Sequence, residues 1–248
     1  MKKVIRLLLI LLLCCGLLMA TGCNTEYKPQ GDYSRFDTVF HDVEPPDQYI
    51  ANDRLQFGSV QIVPSWKMLH GVGAIPVALV GEKLSSSHYY SATAESPVSE
   101  GTMEGYGFTL TRIRIKQVLL EQQEDGADVQ FATGQLGEGD IITIKEYYTY
   151  QKDGEGNPNF YIADCGHVGY WWNRRTVQKE REYLFVLQIP AEGQDTVFES
   201  LLIEEMDEQV WQLQSEEDLQ QMYQDHPIRR NGFYKVVLEI LQKYRQEQ

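Results

Sequence analysis

The sequence predicts a mainly β domain with helical additions, closed into a barrel. Two observations carry this. Six apolar or alternating runs between residues 60 and 203 are rich in β-branched and aromatic residues. One run near the C-terminus instead repeats with the period of an amphipathic helix.

The chain opens with Lys2, Lys3 and Arg6, then fourteen uncharged residues from Leu7 to Ala20. That length suits the apolar core of an export signal and is short for a membrane-spanning helix. Ala20, Thr21 and Gly22 then lead to Cys23. This resembles the lipobox of bacterial lipoproteins, in which small residues precede an invariant cysteine, although Ala20 stands where that motif more often has Leu. The resemblance implies cleavage before Cys23 and a diacylglycerol thioether on its sulfur, with or without an added N-acyl chain. Two or more acyl chains anchor a protein stably where one would be marginal. The expected location is the outer face of a bacterial cell membrane. An uncleaved signal anchor is the plainer alternative.

Cysteine usage agrees with export and lipidation. Cys14 and Cys15 leave with the signal, Cys23 takes the lipid, and Cys165 remains alone. No disulfide within the mature chain is available, so its core must hold it. Removing residues 1–22 takes away Lys2, Lys3 and Arg6, moving the net charge from −14 to −17. So acidic a chain lacks the basic surface that nucleic acid requires. It would also be repelled by anionic lipid unless an anchor held it there.

The expected organisation is a signal peptide over 1–22, a lipid-anchored flexible tether over 23–58, and one domain over 59–248. The tether is rich in Asp, Pro, Asn and Gly and has no sustained period. Phe36, Val39 and Phe40 are its candidates for docking on the domain. Strands are expected at 60–63, 75–82, 108–120, 140–150, 181–189, 196–203 and 209–213. Within 140–150, Ile142, Ile144 and Glu146 share one face. REYLFVLQI, residues 181–189, is the expected central strand. Ser215 and Asp218 have the spacing of a capping box, and Pro227 ends that helix. Phe233, Val236, Val237, Ile240, Leu241 and Tyr244 form the apolar stripe of a final helix that covers a side or end of the barrel.

From residue 65 the order of features is SWKMLHG, VALVGEK, a long strand ending in VLL, a Gly-Asp turn into IITIKEY, then REYLFVL and QVWQL. This pattern resembles the small OB-like barrel of uncharacterised Gram-positive surface lipoproteins, a fold also similar to the netrin or TIMP-like barrel. The resemblance covers residues 65–213 and implies an OB-like closed β-barrel with a C-terminal amphipathic helix. TIMP-like inhibitors use disulfides and a free N-terminal cysteine. This chain has neither if Cys23 is lipidated, so protease inhibition is not expected.

Several residue groups invite a chemical reading. Asp164, Cys165, Gly166 and His167 could form a structural turn, a metal site or a catalytic pair. Their crowding disfavours metal ligation, and no third residue orients a Cys–His pair. Ser85, Ser86 and Ser87 before His88 read as a polar loop without the nucleophile elbow of serine hydrolases. Gly101, Gly105 and Gly107 read as a flexible hairpin, and KDGEGNPN as a long turn. Glu204 and Glu205 read as solvated charge. No catalytic residue, cofactor or metal ligand is nominated.

The richest aromatic stretch runs from Tyr147 to Trp172 and is followed by Asn173, Arg174 and Arg175. Tyr170, Trp171, Trp172, Arg174 and Arg175 are the candidate ligand-binding residues. Flat rings beside donors suit a sugar, such as a cell-wall glycan. The plainer reading alternates the two Trp side chains between core and surface. The expected function is therefore a membrane-anchored, non-enzymatic binding or interaction domain. Its expected partner is a cell-wall glycan or a protein, with no nucleic acid and no cofactor.

Overall fold

Side-chain alternation along two sixteen-residue strands sets the architecture. The computed structural model describes residues 24–50, 76–92, 106–121, 136–162, 174–188, 196–225 and 234–248. Among these, the strands are β1 (Thr38–His41), β2 (Tyr49–Ile50), β3 (Pro76–Ser91), β4 (Tyr106–Glu121), β5 (Ile141–Glu146), β6 (Tyr148–Lys152), β7 (Pro158–Ile162), β8 (Arg174–Arg175), β9 (Glu182–Gln188) and β10 (Val197–Glu205). The helices are α1 (Glu208–Trp211), α2 (Glu216–Asp225) and α3 (Tyr234–Glu247).

Five strands close a barrel in the order β3-β4-β5-β10-β9 and back to β3. Every seam is antiparallel except β5 with β10. This is the strand order of an OB-like barrel, as expected. Register shifts at Ala78/Leu79, Val80/Gly81 and Lys83/Ser85 bend β3. The bend lets its first half pair with β9 and its second half with β1.

One parity of each strand fills the barrel. Val77, Leu79, Ile113, Ile115, Ile142, Ile144, Tyr183, Phe185, Phe198 and Ile203 form that interior cluster. The opposite parity of β3 and β9, with Leu119, Leu120 and Leu201, packs under the helices. α3 buries Tyr234, Val236, Val237, Leu238, Ile240 and Leu241 there, so it covers a side of the barrel. Each such aliphatic side chain contributes about 1.5–3 kcal/mol of burial.

The capping box holds: Asp218 N donates to Ser215 Oγ at 3.2 Å, and Ser215 N donates to Asp218 Oδ2 at 2.9 Å. β9 matches the expected central strand, with Tyr183 to Leu187 fully buried and partners on both sides. The expected long turn at KDGEGNPN joins β6 to β7, with Gly156 at φ +88°.

Other expectations need correction. Residues 209–213 are not a strand. Asp207 Oδ1 accepts from Val210 N at 2.9 Å and caps α1, and Val210 and Leu213, three apart, are both buried. Residues 85–88 are not a loop, because ladder pairing to β4 holds them extended. The run 140–150 is two strands that part at Tyr147. Glu204 is not solvated; it is fully buried and accepts from Tyr234 Oη.

The expected free tether does not hold for residues 24–50. Glu26 bridges to Ile141, β1 pairs with β3, and β2 pairs with β8. Phe36 and Pro45 are buried. Phe36 packs against Phe108 as expected of a docking residue, whereas Val39 is exposed. Cys23, the expected tether residues 51–58, the expected strand at 60–63, and Gly101, Gly105 and Pro227 lie outside the described residues.

Candidate functional site

The barrel interior changes character along its axis. Beyond the apolar layers, the inward parity of β3, β4 and β5 supplies Lys83, Ser86, His88, Thr109, Thr111 and Glu146, all buried. Tyr148 joins them from β6 and is fully buried. Strand alternation puts these polar groups at one mouth of the barrel.

Residues 42–48 lie across that mouth. Lys83 Nζ meets Glu44 Oε1 at 3.1 Å and donates to Val177 O at 3.1 Å. Tyr150 Oη donates to Glu44 O at 2.9 Å, and Gln178 Nε2 donates to Pro45 O at 2.6 Å. Thr176 Oγ1 donates to Pro46 O at 2.7 Å. The segment is therefore held by main-chain carbonyls as much as by charge.

Two ionisable side chains inside this mouth are displaced in opposite directions. Glu146 accepts from Thr111 Oγ1 and, at 3.4 Å, from Val177 N. Burial pushes its carboxyl up to about 7, and the Thr111 hydroxyl and the Lys83 ammonium oppose the shift. His88 lies 2.7 Å from Thr109 Oγ1, and its Nε2 lies 3.0 Å from Val43 O. Burial pulls its imidazole down to about 4, and the Lys83 charge adds to this. Near neutral pH the site thus holds a neutral imidazole and a carboxyl close to its midpoint. It can store or release one proton under the cover of residues 42–48.

A second surface is the outer face of β4 and β5. In OB folds this face commonly receives oligonucleotides or oligosaccharides. Here residues 24–36 occupy it. Tyr33 lies 5.1 Å from Tyr89, Phe36 meets Phe108 edge-on at 5.1 Å, and Lys145 sits over Phe108 at 5.1 Å. The chain's own rings fill positions where a stacked ligand would sit.

Of the nominated residues, Arg175 is half-buried and turned to carboxylates. Its Nε and Nη2 donate to the two oxygens of Asp47 at 3.0 and 3.1 Å, and its Nη1 lies 2.9 Å from Glu205 Oε2. Arg181 shares both acids. The cluster clamps residues 45–48 to the barrel. Arg174 contributes backbone pairing to Ile50 and Ile203. Tyr170, Trp171, Trp172 and the Asp164–Gly166–His167 group with Cys165 lie outside the described residues. Nomination from sequence missed Lys83, His88 and Glu146. The usable signal was Glu146 sharing a strand face with Ile142 and Ile144, since a carboxylate on an apolar face implies burial with partners.

Among the described residues, no three His, Cys, Asp or Glu side chains form a group that could hold a metal ion. No protein-family model matches the chain, and neither a curated protein nor a solved structure matches it.

Proposed function

We propose that the protein is an extracytoplasmic lipoprotein, anchored through Cys23 to the outer face of the cell membrane, whose barrel acts by binding or interaction rather than catalysis. The observation that carries this is the order of the first residues: a basic start, fourteen uncharged residues ending at Ala20, then Thr21-Gly22-Cys23. The barrel adds a polar mouth in which Lys83 pairs with Glu44 and Glu146 accepts from Thr111, with residues 42–48 across it. The test is Cys23→Ala in the producing cell. The parent should incorporate labelled palmitate and sediment with membranes, and the variant should do neither. Labelling and sedimentation that survive the substitution would refute the anchor.

A cell-wall glycan is the second reading of what the barrel binds. It is favoured by the β6–β7 hairpin, which leads into the aromatic segment with Phe160 and Tyr161 half-exposed and Ile162 46% exposed. Tyr170, Trp171 and Trp172 are the residues that the sequence nominates for that contact, without the Arg175 guanidinium that Asp47 and Glu205 engage. Glycan-array binding by residues 24–248, lost on replacing Trp171 or Trp172 by Ala, would support it; an array without signal would reject it.

A further inference from the structure

Covalent geometry leaves almost no slack between Cys23 and the barrel. Thr25 N donates to Asp140 Oδ1 at 2.7 Å, and Thr25 O accepts from Ile141 N at 2.8 Å. Tyr27 N donates to Ile141 O at 2.8 Å, and Arg112 meets Glu26 Oε1 at 2.5 Å. Asn24 lies so close over Gly139 that a Cβ there would come within 2.6 Å of its side-chain oxygen. Two Cα steps of about 3.8 Å each separate Cys23 from Thr25. A diacylglycerol on Cys23 has its glycerol at headgroup depth, so whatever adjoins Thr25 lies within about two residues' reach of the bilayer surface.

We propose that the barrel has a fixed membrane-facing pole, formed by Asn24, residues 137–140 and Lys116, which lies against phospholipid headgroups. This rests on the lipidation of Cys23 and adds an orientation to it. Ile115 bonds through its backbone to Gly139 and Asp140, which brings Lys116 beside the turn. Charge allows the approach. Around this pole and the adjoining face of β4 stand Lys28, Arg112, Arg114 and Lys116 against Glu26, Glu82, Glu138 and Asp140, a balance of zero. Most of these pair: Lys28 and Arg112 with Glu26, Arg114 and Lys116 with Glu82. The strongly acidic remainder of the chain is pushed away from anionic lipid. β5 runs away from the pole for about 20 Å, and β6 begins at its far end, where Thr109 Oγ1 donates to Tyr148 O and Thr149 Oγ1 donates to Tyr89 O, so the β6–β7 hairpin springs from the opposite end of the barrel.

The test uses the full lipidated protein in vesicles of phosphatidylethanolamine and phosphatidylglycerol containing a trace of headgroup-labelled acceptor lipid. A donor dye is placed at Glu138→Cys or Gly154→Cys in a Cys165→Ser background. Both positions tolerate the change, since Glu138 is exposed and nothing lies within 4 Å of a Cβ at Gly154. Lys116→Cys, also exposed, reads the same pole independently. Energy transfer from 138 and 116 should exceed that from 154 by about threefold, given the strand rise that separates them. A Gly/Ser linker of about fifteen residues between Cys23 and Asn24, reaching about 20 Å, should erase the difference. Equal transfer without the linker, or stronger transfer from 154, overturns the orientation and leaves the anchor standing. A mass for the purified protein without acyl chains overturns both.

Discussion

The phenol of Tyr234 donates to Glu204 Oε2 at 2.6 Å, and neither side chain is exposed. The bond joins the first turn of α3 to β10. A carboxyl group in that position is tolerated because a donor from the covering helix reaches it, so the helix and the buried acid depend on each other.

Tyr234→Phe should therefore lower the unfolding free energy by about 1–3 kcal/mol in urea denaturation, the range for leaving a buried acceptor without its donor. Combining it with Glu204→Leu should recover part of that loss, because no buried acceptor is then left behind. A Tyr234→Phe variant as stable as the parent would show that the bond contributes nothing net.

His88 and Glu146 should impose opposite pH dependences. His88 falls from 6.5 to about 4 on folding, so the unfolded chain binds the extra proton between those values and stability rises with pH there. Glu146 rises from 4.5 to about 7, so the folded chain holds the extra proton and stability falls as pH rises through that window. Between 4.5 and 6.5 the two slopes, each about 1.4 kcal/mol per pH unit, cancel. Lys83, Asp42 and His41 act on His88, and Lys83 and Tyr148 on Glu146. Relative to the parent, Glu146→Gln should become more stable as pH rises from 4.5 to 6.5, and His88→Asn less stable. Denaturation midpoints across that range check it; parallel profiles for all three proteins would contradict the assignment.

Gly81 and Gly154 should respond oppositely to the same substitution. A Cβ at Gly81 would come within 2.5 Å of Ile113 Cγ2 and 2.9 Å of Arg114 O, with the Phe185 ring at 3.5 Å. Gly81→Ala should cost about 1–3 kcal/mol through overpacking. Gly154→Ala, in an open turn, should stay within about 0.5 kcal/mol of the parent. Thermal unfolding of the two variants side by side measures the contrast.

Much of the barrel was readable because its signals are local. Alternation marked 108–120 and 140–150, although the second run parts at Tyr147, the apolar run 181–189 marked β9, and Ser215 with Asp218 marked the start of α2. The same alternation placed Glu146 with Ile142 and Ile144, which was one side of the polar mouth. The other side was hidden. Ser85 to His88 look like a loop by composition, and only the ladder to β4 turns Ser86 and His88 inward while Ser85 and Ser87 face out. Residues 209–213 misled in the other direction, because Asp207 as a cap outweighs their strand-like composition.

By itself, the sequence determined the inward faces of β5 and β9, the amphipathic α3 and the Ser215–Asp218 capping box, since each is written in spacings of two to four residues. It also carried the residue order before Cys23 on which the proposed anchor rests. Only the tertiary structure decided that residues 24–48 are bound to the barrel and that Glu204 is buried. Their partners are remote in the chain: Thr25 to Asp140, Pro46 to Thr176, Arg175 to Asp47 and Glu204 to Tyr234. A segment without a period of its own gives no local sign of docking. Its free energy comes from carbonyls, carboxylates and rings that only the closed barrel brings within hydrogen-bonding reach.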